Sequence, residues 1–191
     1  MNRYKWLILL GGLMCLASCS NKEDHQKTAS SSQQTDLVKT HIFEIPVQDG
    51  SQEQTIVYKN DKIQQLILKS KPPLTEELET SISEHGLAET KKRIEESVAQ
   101  DTVYQELSAV KGLSYVIDLT DSKDFSITFT LDATHLDAAA LSKTSYFKDS
   151  GLEDITVLTA RQYMERLESH GAKEITPKAE NKQELFSLPK D

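Results

Sequence analysis

Cysteine and tryptophan are nearly absent from this chain of 191 residues, which has two cysteines and one tryptophan. All three (Trp6, Cys15 and Cys19) lie near the amino terminus. The rest of the chain therefore has no disulfide and no thiolate metal site, and a metal there would need histidine and carboxylate ligands. It also has no tryptophan on which a sugar ring could stack. The stability of a folded domain must come from a packed core.

Basic residues are the minority among the charged side chains. The chain has 22 Lys and Arg against 30 Asp and Glu, which gives a formal net charge of −8. Nucleic-acid binding needs clustered Lys and Arg, and basic runs such as Lys91-Lys92-Arg93 are too short to supply them. The sequence thus predicts no nucleic-acid partner. It also argues against electrostatic attraction to a membrane surface, so membrane attachment would have to come from a lipid alone.

No apolar run is long enough to span a bilayer; the one from Trp6 to Leu16 is too short. It follows two basic residues and precedes small ones, which is the pattern of an export signal. The tetrapeptide Leu16-Ala17-Ser18-Cys19 resembles the bacterial lipoprotein signal, in which the cysteine is diacylated and the chain is cut directly before it. We predict that Cys19 carries this lipid, of the palmitate type. Cys15 is a poorer candidate because the bulky Met14 precedes it.

Composition divides the chain into four segments: a signal peptide at 1–18, the lipidated Cys19 with a polar tether at 19–39, a single domain at 40–176, and a charged tail at 177–191 that we predict to be disordered. Removal of the signal takes Arg3 and Lys5 with it, so the formal charge goes from −8 to −10. The tether has too few apolar side chains to offset its ordering entropy. The predicted location is the cell membrane, lipid-anchored on the extracytoplasmic face.

Alternating apolar residues predict two strands that form an antiparallel hairpin. In residues 113–119 and 125–131 every second side chain is apolar, and residues 121–124 between them are turn formers. Three earlier strands are predicted, at residues 42–47, 55–58 and 63–69. Pro46 places the first of these at a sheet edge, because proline cannot donate to a ladder. We therefore expect an α+β domain with an antiparallel sheet of about five strands, three before a helix and a two-strand hairpin after it, with helices packed on one face.

Helical patterns occupy the remaining parts of the domain. Residues 87–111 have an apolar side and end before Gly112, with a weak point near Asp101 where the helix bends or splits. Thr159 and Gln162 have the spacing of a capping box at the start of a helix. Three shorter segments are also expected: residues 74–83 as a short helix or extended chain, residues 134–141 as a helix capped by Thr134, and residues 172–175 as a final strand.

Several of these segments together resemble the YehR-like family of small bacterial lipoproteins, a family without an assigned activity. The resemblance covers the signal, residues 55–63, the helix ending at Gly112, the hairpin of residues 113–132, and the stretch from Met164 to Glu174. It implies an α+β domain with an antiparallel sheet and helices on one side. Its motifs are structural and supply no functional residues. The tether is longer and the C-terminal extension more charged than in the family pattern.

Known catalytic and metal-binding patterns are not found in the sequence. The histidines have neither HxH nor HExxH spacing, and residues 118–129 lack the glycine and the last glutamate of a calcium loop. There is no G-x-S-x-G elbow and no phosphate-binding glycine loop. Acidic pairs such as Glu76-Glu77 are interpreted as exposed helix or loop faces. We therefore predict that the protein is not an enzyme and has no catalytic, cofactor or metal site.

The predicted position outside the cell is the remaining guide to function. We expect a lipid-anchored binding or scaffolding domain for an envelope protein, a peptide or a small solute. Its ligand would lie in the cleft between helices and sheet, or along an exposed sheet edge. Tyr58, Tyr104 and Tyr146 are the aromatics to inspect, with core packing as the simpler explanation of each. The alternative is an extracytoplasmic enzyme or metal-binding protein with a site made of histidine and carboxylates.

Overall fold

The computed structural model of the protein describes residues 37–47, 50–120 and 125–175. Six strands form one sheet: β1 (Val38–Val47), β2 (Gly50–Lys59), β3 (Lys62–Ser70), β4 (Leu113–Leu119), β5 (Phe125–Asp132) and β6 (Lys173–Ile175). Their order is β4-β5-β3-β2-β1-β6, and every neighbouring pair is antiparallel. The predicted α+β class is confirmed, with the short β6 as a sixth strand.

The sheet has one buried apolar face. On β5, Phe125, Ile127, Phe129 and Leu131 are at most 4% exposed, whereas the threonines between them are half-buried. The strand register aligns these residues with buried apolar residues of β3, such as Leu66 and Leu68. On the opposite face, Val116 of β4 is 62% exposed. The alternation of apolar residues in the sequence thus predicts the buried face of the sheet correctly.

The helices pack on the apolar face. They are α1 (Glu76–His85), α2 (Leu87–Gln100), α3 (Thr102–Ser108), α4 (Ala138–Leu141) and α5 (Ala160–Ser169), with a 3-10 helix at Leu152–Thr156. Side chains that join them to the core include Leu78, Ile94, Leu107, Leu141 and Tyr163. The predicted capping box of Thr159 and Gln162 is present at the start of α5.

The turn between β2 and β3 fixes the position of α5. Asn60 and Asp61 have φ angles of 52° and 61°, a left-handed conformation that Asn and Asp adopt more readily than other L-residues. The Asp61 carbonyl accepts a hydrogen bond from the Ala160 amide at 2.8 Å, and its Oδ1 accepts one from the Arg161 amide at 3.0 Å. The first turn of α5 is therefore held against the β2–β3 hairpin.

Two predicted helices have different boundaries in the structure. The helix expected at residues 87–111 is split at Asp101, whose carboxylate accepts a hydrogen bond from the Val103 amide at 2.8 Å and so begins α3. That helix ends at Ser108, before Gly112. In the second case, Asp137 rather than Thr134 caps α4, because the Thr134 amide and hydroxyl both donate to Asp132.

The position of Pro46 corrects one detail of the strand prediction. β1 is not the outermost strand, because β6 pairs with it. However, β6 pairs only with Ile42, Phe43 and Glu44. Pro46 therefore lies where β1 has no neighbouring strand on that side, so the absence of its N–H costs no hydrogen bond of the sheet. Five predicted features lie outside the described residues: Cys19, the signal peptide, most of the tether, the tail, and the turn at 121–124.

Candidate binding groove between the first two helices

A groove of about 470 Å³ lies between α1 and α2. Its deepest lining residues are Leu78, Thr90 and Ile94, which are all buried. Glu76, Glu77, Ser81, Glu84, Arg93 and Ser97 also line it. The volume is in the usual range for small-molecule sites, and it suits one or two side chains of a peptide equally well.

Small polar side chains make room for this groove where the two helices face each other. Ser81 Oγ and Thr90 Oγ1 are 3.0 Å apart and share a hydrogen bond across the gap. Gly86 connects the helices with a φ of 79°, and its amide donates to the Ile82 carbonyl at 2.9 Å. A tight connection followed by short side chains brings α1 and α2 together without filling the space between them.

Carboxylates dominate the charge of the groove. Glu76, Glu77 and Glu84 line its α1 side, and Arg93 is the cation on its α2 side. The Arg93 Nε atom lies 3.2 Å from Glu89 Oε1, so a carboxylate outside the lining already compensates this guanidinium. Acidic residues in the first turn of a helix also interact favourably with its dipole. The groove therefore combines an apolar floor and hydroxyl groups with an acidic rim, in which Glu76 and Glu77 lie in the first turn of α1 and are favoured by the helix dipole.

A second cluster joins β1, β2 and β6. His41 Nδ1 lies 2.6 Å from Glu174 Oε1, and the Tyr58 hydroxyl lies 3.1 Å from His41 Nε2. Burial, followed by the charges of Asp61 and Glu174, raises the pKa of Tyr58, so the phenol remains protonated at neutral pH. The arrangement supplies no activated nucleophile. It connects the three-residue β6 to the rest of the sheet.

The other histidines have local explanations. His135 Nδ1 lies 2.8 Å from Asp132 Oδ2 in the turn after β5, and His170 Nδ1 lies 2.7 Å from the Arg166 carbonyl at the end of α5. His85 is the last residue of α1 and lines the groove. Within residues 37–47, 50–120 and 125–175, no group of three or more His, Cys, Asp and Glu side chains is placed to hold a metal ion.

Two of the three tyrosines singled out from the sequence are core residues. The ring of Tyr104 lies 5.0 Å from that of Tyr115, and the ring of Tyr146 lies 4.8 Å from that of Phe129. Tyr104 is 4% exposed. Burial raises the pKa of Tyr146 to about 12. These rings therefore stabilise the packing between helices and sheet, and the third, Tyr58, belongs to the His41 cluster.

Comparisons with known proteins agree with the fold. A protein-family model matches residues 37–167, which is more than half of the chain. An NMR structure of a protein from Streptococcus pneumoniae TIGR4 is 27% identical with a TM-score of 0.66, over 83% of this chain and 99% of that one. The NMR structure of E. coli YehR is 21% identical with a TM-score of 0.51, over 78% of this chain and 99% of that one. This chain belongs to the YehR-like family.

Membership of the YehR-like family supports the fold and brings no ligand with it. No curated protein matches the chain. Among the described helices, none has both the length and the apolar character needed to cross a membrane. The groove of this YehR-like domain is therefore interpreted from its own chemistry.

The groove was only partly visible in the sequence. Glu76 and Glu77 were predicted to be exposed, and they are exposed on α1. The sequence predicts a ligand in the cleft between helices and sheet or along a strand edge, whereas this groove lies between two helices and contains Ser81, Thr90 and Ser97. In the sequence, the feature that could have indicated these residues is the recurrence of short hydroxyl side chains on the facing sides of two consecutive helices. Cys19, the predicted lipidation site, lies outside the described residues.

Proposed function

We propose that this protein is a lipid-anchored, extracytoplasmic binding domain that holds a cationic peptide segment in the groove between α1 and α2. The anchor is the acyl group on Cys19, followed by a polar tether that gives the domain reach from the membrane. The observation that carries the binding proposal is the acid-rimmed groove itself. An ordered cavity with an apolar floor and three carboxylates on one wall suits a lysine or arginine side chain, whose methylene stem packs on Leu78 and Ile94 while its charged head meets the rim.

Hydroxyl groups support a peptide as the ligand. Ser81 and Ser97 lie in the groove beside the carboxylates and are half-buried, so they offer donors and acceptors to a peptide backbone. A purely apolar ligand would leave these groups and the glutamates without compensation. An anionic ligand would face like charges. The alternative of a histidine and carboxylate enzyme site has less support, because burial raises the pKa of Tyr58 beside His41 and its phenol is therefore not an activated nucleophile.

Titration of the mature chain with tetralysine, followed by amide chemical shifts in NMR spectra, tests the groove. We expect shifts concentrated at residues of α1 and α2 that line it, Ser81 and Ser97 among them. Because exposed ion pairs contribute roughly 0.2–1 kcal/mol each, the double change Glu77→Gln and Glu84→Gln should weaken binding about fivefold.

The matched control is the double change Glu95→Gln and Glu96→Gln, which removes the same charge from exposed positions of α2 that do not line the groove. It should leave the affinity within about twofold. Equal weakening by both variants, or shifts spread over all acidic parts of the domain, would show that tetralysine senses only the net charge, and the groove would lose its role.

A further inference from the structure

The tether joins the folded domain at one end of the sheet. β1 begins at Val38, one residue after the first described residue, and the antiparallel register places the end of β2 and the start of β3 beside it. The same register brings the end of β5 and the start of β4 to this end. We call this the tether end of the domain.

Exposed basic side chains are distributed across the tether end. Lys39 lies at the start of β1, Lys62 starts β3, Lys111 precedes β4, and Arg161 lies in the first turn of α5 against the β2–β3 turn. None of the three lysines forms an ion pair with a carboxylate of the described chain. At a strand spacing of about 4.8 Å, the lysines cover roughly 20 Å of the sheet's width.

The carboxylates at the tether end are engaged locally. Asp61 lies 3.5 Å from Arg161, and Asp132 lies 2.8 Å from His135. Hydrogen bonds from the Thr134 and His135 side chains outweigh desolvation and lower the pKa of Asp132. The Asp137 carboxylate caps α4 by accepting a hydrogen bond from the Ala140 amide at 2.9 Å. These acids therefore offset part of the positive charge but do not form a separate acidic surface.

Exposed apolar residues occur at the same end. Leu37 and Val38, where the tether enters, are 62% and 51% exposed. Val157 is 77% exposed, and it lies two residues before Thr159, which bridges to Lys62. Of the five large apolar residues that are exposed in the described chain, three thus surround the point where the tether enters.

The acidic groove lies at the other end. α1 begins six residues after Ser70, the last residue of β3, and its first turn holds Glu76, Glu77 and Glu79. In α2, Lys91 contacts Asp118 at 3.0 Å, next to the last residue of β4. The groove carboxylates therefore lie away from the tether end, although lysines such as Lys71 and Lys92 also lie at the groove end.

We infer that the tether end rests on a membrane surface rich in anionic lipid headgroups, so that the groove faces away from the membrane. This inference rests on the proposed anchor, which confines the domain within reach of the bilayer. Confinement by a short polar tether raises the effective concentration of the tether end at the surface, so weak contacts are sufficient. Lysines near anionic headgroups attract the surface, and Leu37, Val38 and Val157 enter the interface as apolar contacts. In this arrangement the lipid anchor has electrostatic help, whereas net charge alone predicts that the lipid acts by itself.

A fluorescent probe at the tether end tests the orientation in the lipidated protein. Because Cys19 is acylated in that form, a single introduced cysteine is the only free thiol. Val157→Cys places the probe at the tether end, and Val47→Cys places a matched probe at the opposite end of β1, roughly 30 Å away. Each protein is incorporated into vesicles of phosphatidylcholine, with or without phosphatidylglycerol, that contain headgroup-depth quenching lipids.

We expect the Val157→Cys probe to be quenched more strongly than the Val47→Cys probe in the anionic vesicles, and this difference to decrease with added salt. The double change Lys39→Gln and Lys62→Gln should lower the ratio of membrane-resting to free orientations by about thirtyfold, the effect of two surface lysines. The matched change Lys71→Gln and Lys92→Gln, at the other end, should have little effect.

Equal quenching of both probes in anionic vesicles would overturn the inference, as would equal losses from the two lysine variants. Failure of the anchor gives a different result, because the protein then no longer floats with vesicles of phosphatidylcholine alone. In that case the inference falls together with the anchor, because the contacts are sufficient only for a confined domain. Tight binding to a soluble acidic protein without quenching would assign the surface to a protein partner instead.

Discussion

At the scale of single residues, Gly112 has less room for a side chain than Gly86 or Gly171. Its φ of 80° favours glycine, and a Cβ atom there would lie 2.7 Å from the Leu136 backbone. We expect Gly112→Ala to lower the free energy of unfolding by at least about 3 kcal/mol, since left-handed strain and a backbone clash add together. Chemical denaturation followed by circular dichroism measures this loss.

Gly171 is the control for that change. Its φ is 86°, but no atom lies within 4 Å of the position that a Cβ would occupy. Gly171→Ala should therefore cost only the left-handed strain, about 1–2 kcal/mol. If both variants lose the same stability, the contact between Gly112 and Leu136 does not constrain the fold.

Buried tyrosines make the domain sensitive to alkali. Burial raises the pKa of Tyr146 to about 12 and raises those of Tyr104 and Tyr163 as well. Above pH 10 the unfolded chain releases phenolic protons that the folded chain keeps, so the unfolded state binds fewer protons and stability falls as pH rises. Between pH 10 and 12 each such tyrosine should lower the free energy of unfolding by at most about 1.4 kcal/mol per pH unit. Urea denaturation at pH 9 to 12 should show this slope, and Tyr146→Phe should reduce it; an unchanged slope would contradict the assignment.

At the scale of elements, the two faces of β5 should respond differently to truncation. Phe129 is 3% exposed and its ring lies 5.2 Å from that of Phe147, so Phe129→Ala should cost about 3–5 kcal/mol through lost burial and a cavity. Thr130 is on the other face and half-buried, so Thr130→Ala should cost about 1 kcal/mol or less. Equal and large losses in urea denaturation would mean that both faces of the sheet are covered.

The elements also show what the sequence could and could not predict. The hairpin of β4 and β5 follows from alternation, and the start of α5 follows from the spacing of Thr159 and Gln162, because both patterns are local. The split at Asp101 was also visible, since an Asp with a free carboxylate competes as a cap. The predicted start of α4 was wrong because the Asp132 carboxylate accepts hydrogen bonds from the Thr134 amide and hydroxyl two residues later, a local turn that competes with Thr134 as a helix cap.

The groove could not be predicted from local patterns in the sequence. Its volume depends on how closely α1 and α2 approach, and that distance is set by Gly86 and by the contact of Ser81 with Thr90. No periodicity in either helix contains this information. The acidic rim was visible as a row of glutamates, but a row of exposed glutamates is ordinary on any helix.

At the scale of the whole molecule, the distribution of charge matters more than its sum. A mature chain with a formal charge of −10 should avoid anionic surfaces if it tumbles freely. With Lys39, Lys62 and Lys111 at the tether end and Glu76 and Glu77 on α1 beyond the other end of β3, attraction and repulsion act on different parts of the domain. For a domain tethered as proposed, this distribution favours an orientation in which the groove faces away from the membrane.

The proposed membrane anchor depends on Cys19, and the last prediction tests this residue. A single acyl chain holds a protein only marginally, whereas two or three chains, at about 0.8 kcal/mol per buried methylene, hold it permanently. Cys19→Ala should therefore move the protein from the membrane fraction to the medium or the soluble extracytoplasmic fraction. Its thermal unfolding midpoint should not change, because Cys19 is not part of the described sheet and helices.

Cys15→Ala is the control and should remain in the membrane fraction. Mass spectrometry of the wild-type amino terminus decides the question, and cleavage at another site without a lipid would remove the anchor from the proposed function.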